Sequence, residues 1–540
     1  MNEKLSIKEK IGYALGDGAA NIAWRGVATF LLIFYTDVFG LTATAAGLLM
    51  LIARSSDGII DILMGIVCDR TNSKYGKFRP WVLWTAIPLA VTLSLLFTSP
   101  NLGPTGKIVY AYVTYLTFFL VYTANNIPYG ALMAVMTGND KERTSLGSYR
   151  MVGAFTGGMV VQGALLFLVS YFGNINPTIH VQQLGAEKFE VSVSAPKDVA
   201  KVNIESKNGI ALFAWNDPTL PDSLNVPAVR KSFSMKANVP YLFIATGTNG
   251  LDKDHITIID QQSGYSKAIY LLSVFLALFL IVTFYTTRER VSPPKEQKTN
   301  LGKDLVDLLK NRPWIILLLI GLLFNIYNSV KQGVLLYYFT HYMHHQLLAA
   351  SYMVALMLVS IAGAMITSPI GKKIGKKNLF ITALLFSGAT NALLAFCGPS
   401  DTVGIFTLGM ASEFAAAIFP TLFFAMLGDA ADYSEYKNKR RATGLVYSAG
   451  SFATKLGHGV AAIIITGILT LFNYNGQDAS TIQHAAPGIV MLMSWIPALI
   501  AALAAIVMVF YPLNQKKLSE ITVELNQRRE KEITDPSTTN

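Results

Sequence analysis

"TRERVSPPKEQKTNLGKDLVDLLKNRP", residues 287–313, is a charged segment with a Pro-Pro break in the middle of a chain where charge is scarce. The 540 residues are 52% hydrophobic and 14% charged, with mean hydropathy +0.42. Soluble domains carry roughly 25% charged residues, so the deficit points to lipid as the solvent. Apolar runs of about 20 residues, each long enough to cross a hydrocarbon core of roughly 30 Å, recur on both sides of the segment. Six precede it, near 11–38, 43–68, 80–99, 108–136, 146–172 and 265–287. Six follow, near 313–342, 347–370, 379–398, 403–428, 443–473 and 486–512. Lipid offers no partner to a backbone polar group, so such runs fold as helices. The reading is an all-α membrane protein of twelve transmembrane helices in two six-helix halves. Residues 1–172 carry spans 1–5, 265–287 span 6, 288–312 a cytoplasmic central loop, 313–512 spans 7–12, and 513–540 a cytoplasmic tail.

The basic residues set the topology. Most of the 44 Lys and Arg fall in the N-terminus, in the loops after spans 2, 4, 6, 8 and 10, and in the tail. The short loops on the other side are nearly bare, Lys107 being the clear exception. By the positive-inside rule both termini are cytoplasmic, in an inner or plasma membrane. The net charge of +11 is thus a topology signal and implies no nucleic-acid partner. "MNEKLSIKEK" shows no cleavable signal, so the first span is retained. The two cysteines, Cys68 and Cys397, form neither a disulfide framework nor a metal spacing. The histidines in "HYMHHQ" supply no metal pattern. No phosphate-binding glycine loop or nucleophile elbow is present, so the chain reads as a non-enzyme with no catalytic residues and no cofactor.

Residues 173–264 depart from the helical pattern. "FEVSVSA", "AKVNIES", "KSFSMKA", "YLFIATG" and "HITIID" alternate apolar and polar at period two between Gly, Pro and Asn breaks, predicting a small β-rich extracytoplasmic insert. It reads as a folded ornament on a loop, or as a substrate-capturing lid or partner contact.

Ionisable residues inside spans cost about 2.5–3.5 kcal/mol each on insertion scales and are therefore functional candidates. The basic ones are Arg25, Arg54, Arg150, Lys331 and Lys455; the acids are Asp17, Asp57, Asp61 and Glu413, with Asp37 at a span end. In "ARSSDGIIDILMG", residues 53–65, Asp57 and Asp61 lie one turn apart on one helix face. Two bare carboxylates there repel, and a small hard cation between them removes the repulsion. The competing reading is an ion-pair network, with Arg54 one turn before Asp57. "YTANNIPYGAL", 122–132, sets two amides before a proline. These suit the hydroxyls of a neutral polyol, or they patch carbonyls freed by a proline kink. Lys455, in "SFATKLGHGV", lies too deep to snorkel and needs a carboxylate or a substrate. Lys331, in "NSVKQGVLLYYF", faces the cavity or lies near a span end.

At these motifs the chain resembles the glycoside–pentoside–hexuronide:cation symporters of the major facilitator superfamily. "FYTDVFGL", "ARSSDGIIDILMG", "DRTNSKYGKFRPW", "YTANNIPYGAL" and "GDAADYSEYKNKRRATGLVYSAGSFATK" carry the resemblance in order, over nearly all of the chain except the insert and the tail. It implies a Na⁺ or H⁺ site at Asp57 and Asp61, with Thr123, Asn126 and Lys455 nearby and Na⁺ favoured. For the sugar it implies Asn21, Asn126 and Arg150, to which the local chemistry adds Trp24, Tyr129 and Lys331. Asn21 and Asn126 stand where the family pattern has sugar-binding aspartates, Gly130 replaces a stacking tryptophan, and Ile60 replaces an asparagine. The family's galactoside specificity therefore does not carry over.

The expectation is a monomeric symporter that imports a glycoside or other sugar by alternating access. Arg79, Asp432 and Arg440 would form cytoplasmic gating charge pairs. A hexuronate symporter is the alternative favoured by Arg150, Lys331 and Lys455; a lysolipid:sodium symporter and a non-transporting sugar sensor are the others.

Overall fold

The computed structural model describes residues 4–71, 73–137, 140–185, 187–206, 211–215, 233–247, 251–290, 310–438, 443–476 and 479–534. Among the described residues, ten helices are long and apolar enough to cross a membrane, and two shorter apolar stretches, Ala43–Ala53 and Leu456–Leu471, lie within helices. The twelve expected spans therefore divide into ten that meet the length criterion and two that meet it only in part. The helices before the insert are α1 (Ile7–Ile33), α2 (Ala43–Arg70), α3 (Arg79–Trp84), α4 (Ala86–Leu96), α5 (Pro104–Met136) and α6 (Asp140–Gly173). Those after it are α7 (Gln261–Thr286), α8 (Arg312–Tyr337), α9 (Leu348–Ile374), α10 (Lys376–Leu393), α11 (Thr402–Ala416), α12 (Ile418–Asn438), α13 (Thr443–Leu471), α14 (Ala479–Met493), α15 (Trp495–Val509) and α16 (Gln515–Thr534).

Local chemistry fixes the ends. Ser6 and Glu9 form a reciprocal capping box that starts α1: Glu9 N donates to Ser6 Oγ at 3.2 Å, and Ser6 N donates to Glu9 Oε2 at 3.1 Å. Thr42 caps α2 and Asp260 caps α7. The third span breaks at Thr85, between α3 and α4, and Asn125 Nδ2 donates to Thr85 Oγ1 at 2.7 Å. This corrects the kink-patching reading for one of the two amides, since Asn125 tethers α5 to that break. The outer faces identify the solvent. On α7, Leu271, Val274, Leu278 and Val282 are exposed while Leu272, Leu276 and Leu280 are buried. An apolar stripe of that length is stable only against lipid.

The chain forms two compact units. One comprises Met1–Pro293, Gln332–Val354 and Ile463–Ile489; the other comprises Pro294–Lys331, Ala355–Ala462 and Val490–Asn540. Within the first, α1 packs tightly on α6: Gly153 and Gly157, four residues apart, let the α6 backbone approach Ala14 and Gly18, where any Cβ would collide. The second has its own core around Trp314, Phe380, Phe419 and Met508.

Among its described residues the insert, in the first unit, holds seven strands: β1 (Thr178–Gln183), β2 (Lys188–Ser194), β3 (Val199–Ser206), β4 (Ala211–Trp215), β5 (Phe233–Met235), β6 (Tyr241–Gly247) and β7 (Ile256–Asp260). They form two antiparallel sheets, β1-β2-β6-β4 and β5-β3-β7. All five alternating segments contain strands. Phe189, Val191 and Val193 of β2 face a core completed by Val202, Ile204, Phe243 and Ile258. Periodicity missed β1 and β4, since "TIHVQQ" is too polar and "ALFAW" too evenly apolar to alternate. Asn174 bridges to Ile259, and β7 runs directly into α7, so the insert is continuous with its flanking spans.

Candidate functional site

Among the described residues, three buried or half-buried polar clusters lie within spans or at a span end. The first is built on α1 and α5. Asp17, Asn21 and Trp24 follow i, i+4, i+7 on α1, and Tyr122, Asn126 and Tyr129 repeat that spacing on α5. The stripes meet at both ends: Trp24 stacks on Tyr122 with centroids 5.8 Å apart, and Tyr13 stacks on Tyr129 at 4.6 Å. Asn21 and Asn126 are half-buried between the two stacks. The glycine contact of α6 brings Arg150 against α1, where its Nε lies 3.3 Å from Asp17 Oδ2. The Arg150 guanidinium also lies 5.5 Å from the Tyr129 ring centroid.

This geometry adds one residue to those expected. Tyr129 is fully buried, with its ring on Tyr13 and its hydroxyl donating to Tyr13 O at 2.6 Å, and it lies against Arg150. Asp17, noted in the sequence as an acid inside a span, proves to be the partner of Arg150. Its signal was present, but one residue of that turn is not distinguishable from the next without the packing of α6. A Cβ on Gly130, half-buried one residue past Tyr129, would meet no atom within 4 Å. Thr123 is buried, and Asn21 Nδ2 donates to Asp17 O at 3.0 Å.

The second cluster is in the other unit, around Lys331. Its Nζ donates to Glu413 Oε2 at 3.3 Å, Ser412 Oγ at 3.1 Å and Tyr327 OH at 3.3 Å. Ser360 Oγ donates to Glu413 Oε1 at 2.9 Å, and Asn391 Nδ2 to Tyr327 OH at 2.9 Å. Lys331 therefore has an acid partner of its own on α11, which its sequence context did not disclose.

The third cluster lies where α1 and α8 end in single π-helical turns, Phe34–Phe39 and Tyr338–Tyr342. His341 Nε2 lies 2.7 Å from Asp37 Oδ2, and Tyr474 OH donates to Asp37 Oδ1 at 2.6 Å. Tyr337 OH, 2.8 Å from Thr36 Oγ1, extends the chain, since Thr36 Oγ1 donates to Asp37 Oδ1 at 2.6 Å. All five side chains are buried. Lys201 of the insert faces Asp37 electrostatically, and burial pushes its ammonium down to about 8 against the pull of that carboxylate. Sequence reading assigned this cluster no role, because its members are 437 residues apart at the extreme.

The remaining expectations fall as follows. Asp61 is half-buried on α2 and engaged, while Asp57 and Arg54 on the same helix lie outside the described side chains, as does Lys455 on α13. Arg440 lies outside the described residues. Arg79 is held within its own unit: Nη2 donates to Phe284 O at 2.7 Å, and its backbone N donates to Glu289 Oε1 at 2.9 Å. Glu289 also accepts from the backbone of Lys77 and Phe78, so it caps α3. Asp432 is half-buried on α12.

Residues 12–189 and 228–515 match the family described as MFS/sugar transport protein. The chain belongs to that family. The stretch between the two matches falls in the insert. Among similar proteins, a putative glycoside/cation symporter, YagG, of Escherichia coli (strain K12) is 28% identical over 97% of this chain and 96% of its own. The isoprimeverose transporter of Lactiplantibacillus pentosus is 28% identical over 97% and 92%. These matches bear out the resemblance to the glycoside–pentoside–hexuronide:cation symporters. Of solved structures, a bacterial homologue of the human lysosomal transporter Spinster superposes with TM-score 0.59 at 12% identity, covering 94% of this chain and 98% of its own. A D-xylose–proton symporter superposes with TM-score 0.54 at 12% identity, covering 95% and 98%. The fold is that of a major facilitator transporter, a multi-pass membrane protein whose family carries sugars.

Proposed function

We propose that this transporter is a symporter that imports a neutral glycoside with a monovalent cation, Na⁺ before H⁺, and that both of its termini are cytoplasmic. The observation that carries neutrality is the pairing of the cations. Arg150 is 3.3 Å from Asp17, and Lys331 is 3.3 Å from Glu413. An anionic sugar would have to displace a carboxylate from each, whereas a hydroxyl is served by a paired carboxylate and guanidinium without net charge. In this reading Trp24 takes an apolar sugar face, Asn21, Asn126 and Arg150 take hydroxyls, and Asp17 orients Arg150. The names of two relatives, a glycoside/cation symporter and an isoprimeverose transporter, support the substrate class.

The cation is assigned to Asp57 and Asp61, one turn apart on α2, with Thr123, Asn126 and Lys455 around it. Na⁺ is favoured because paired carboxylates are hard oxygen ligands whose mutual repulsion the ion removes. Cation binding would favour the sugar-competent state, and sugar binding would then permit the exchange of access. Competition tests the neutrality: uptake of a labelled neutral β-glycoside by proteoliposomes should be inhibited by unlabelled neutral disaccharides and not by uronates. Inhibition by uronates at equal concentration would favour the acidic-sugar reading instead.

A further inference from the structure

A second site lies at the basic end of the spans in the second unit, away from the polar clusters above. There a cavity of about 590 Å³ is enclosed by the end of α9, the start of α10, α12 and the start of α16. Leu422, Met426 and Leu518 give it apolar walls, and Ile374, 45% exposed, continues them outward. Its polar wall carries three lysines and one acid. Lys376 Nζ holds Asp429 at 2.8 and 2.7 Å, leaving two lysines in excess. Lys377 Nζ donates to Val509 O and Tyr511 O at 2.7 and 2.8 Å, which fixes its ammonium at the cavity wall, and Lys516 is exposed. Two helices, α10 and α16, begin at this wall with Lys376 and Gln515. Their first turns direct N–H groups and positive dipole ends toward it.

An independent observation points to a ligand. Tyr511 lines the cavity and is 1% exposed, yet its hydroxyl is buried without a hydrogen-bond partner. A phenol in that position needs an acceptor. We propose that the cavity binds an anionic phospholipid of the surrounding bilayer. Its phosphate would accept from Lys377, Lys516 and the Tyr511 hydroxyl, and its acyl chains would lie along Leu422, Met426 and Ile374. The excess of positive charge selects an anionic head, and the apolar walls beside it require an amphiphile where a soluble anion needs none.

The test uses the full-length protein, purified in detergent, delipidated and followed by native mass spectrometry and thermal unfolding. Phosphatidylglycerol is compared with phosphatidylcholine of the same chains and with glycerol 3-phosphate as a head group without chains. Phosphatidylglycerol should be retained and should raise the unfolding temperature, with neither control doing so at equal concentration. Lys516→Glu should weaken its retention by about tenfold. Tyr511→Phe, which removes only the unpartnered hydroxyl, should weaken it about threefold while the lipid-free protein unfolds as before. Equal retention of both lipids, binding of glycerol 3-phosphate as tight as that of the lipid, or unchanged retention in both variants would overturn the proposal. The readout is lipid bound, so it stands apart from the assignment of the transported sugar.

Discussion

Arg150 and Asp17 show how one pair can set both stability and specificity. The Asp17 side chain is 9% exposed and that of Arg150 31%, so the pair is shielded on one side and reachable on the other. Breaking a fully buried pair costs about 3–5 kcal/mol, and partial exposure of Arg150 should hold the loss below that. Asp17→Asn should therefore lower the unfolding temperature and leave Arg150 without its acid. The neutral-sugar account then predicts that this variant gains inhibition by uronates that the unmodified transporter lacks. Uronate inhibition no different from that of the unmodified protein would mean that Arg150 does not face the sugar. Residue type and position in spans marked Arg150, Asn126 and Trp24 as candidates, and the family resemblance added Asn21. Neither could supply the Asp17 pairing, which depends on Gly153 and Gly157 bringing α6 onto α1.

At the scale of elements, the ends of α1 and α8 meet in a buried polar cluster. A π-helical turn lets a side chain rotate out of the regular helical register, and here it turns Asp37 and His341 toward each other and toward Tyr474. Asp37 accepts from His341, Tyr474 and Thr36, and the whole set is buried. An asparagine at position 37 cannot accept all three, and the loss would leave buried donors without partners. Such a cluster suits a latch at this end of the spans. Asp37→Asn should speed the labelling of a cysteine placed at Thr340 by an impermeant maleimide about tenfold, in a background lacking Cys68 and Cys397. Unchanged labelling would show that the cluster braces the helix ends without controlling access to them. Nothing in the sequence announced it, because segments so far apart come together only after the spans have packed.

For the molecule as a whole, composition and the central charged segment made the membrane fold legible, since lipid allows so few ways to satisfy a backbone. The insert was legible as β structure for the same kind of reason: its strands have one face in a core and alternate accordingly. Its position was not, and Lys201 on β3 lies within electrostatic reach of Asp37 at the end of α1. Burial lowers the Lys201 ammonium from 10.5 to about 8, aided by repulsion from Lys107 and opposed by Asp37. Between about 8 and 10.5 the unfolded chain keeps a proton that the folded insert has released, so unfolding free energy rises with pH across that window. Lys201→Met should raise the unfolding temperature at pH 7, by an amount that shrinks as pH passes from 8 to 10. A difference independent of pH would show that Lys201 is not held in this buried setting.

The most direct test of the account is sugar accumulation in proteoliposomes holding the purified transporter, with and without an inward Na⁺ gradient at fixed pH. A neutral glycoside should accumulate with the Na⁺ gradient. Accumulation should be abolished by Asp57→Asn or Asp61→Asn, while exchange of the sugar without a gradient survives in at least one of them. Na⁺-driven accumulation that persists undiminished in both variants would contradict the assignment of the coupling ion to the α2 aspartates.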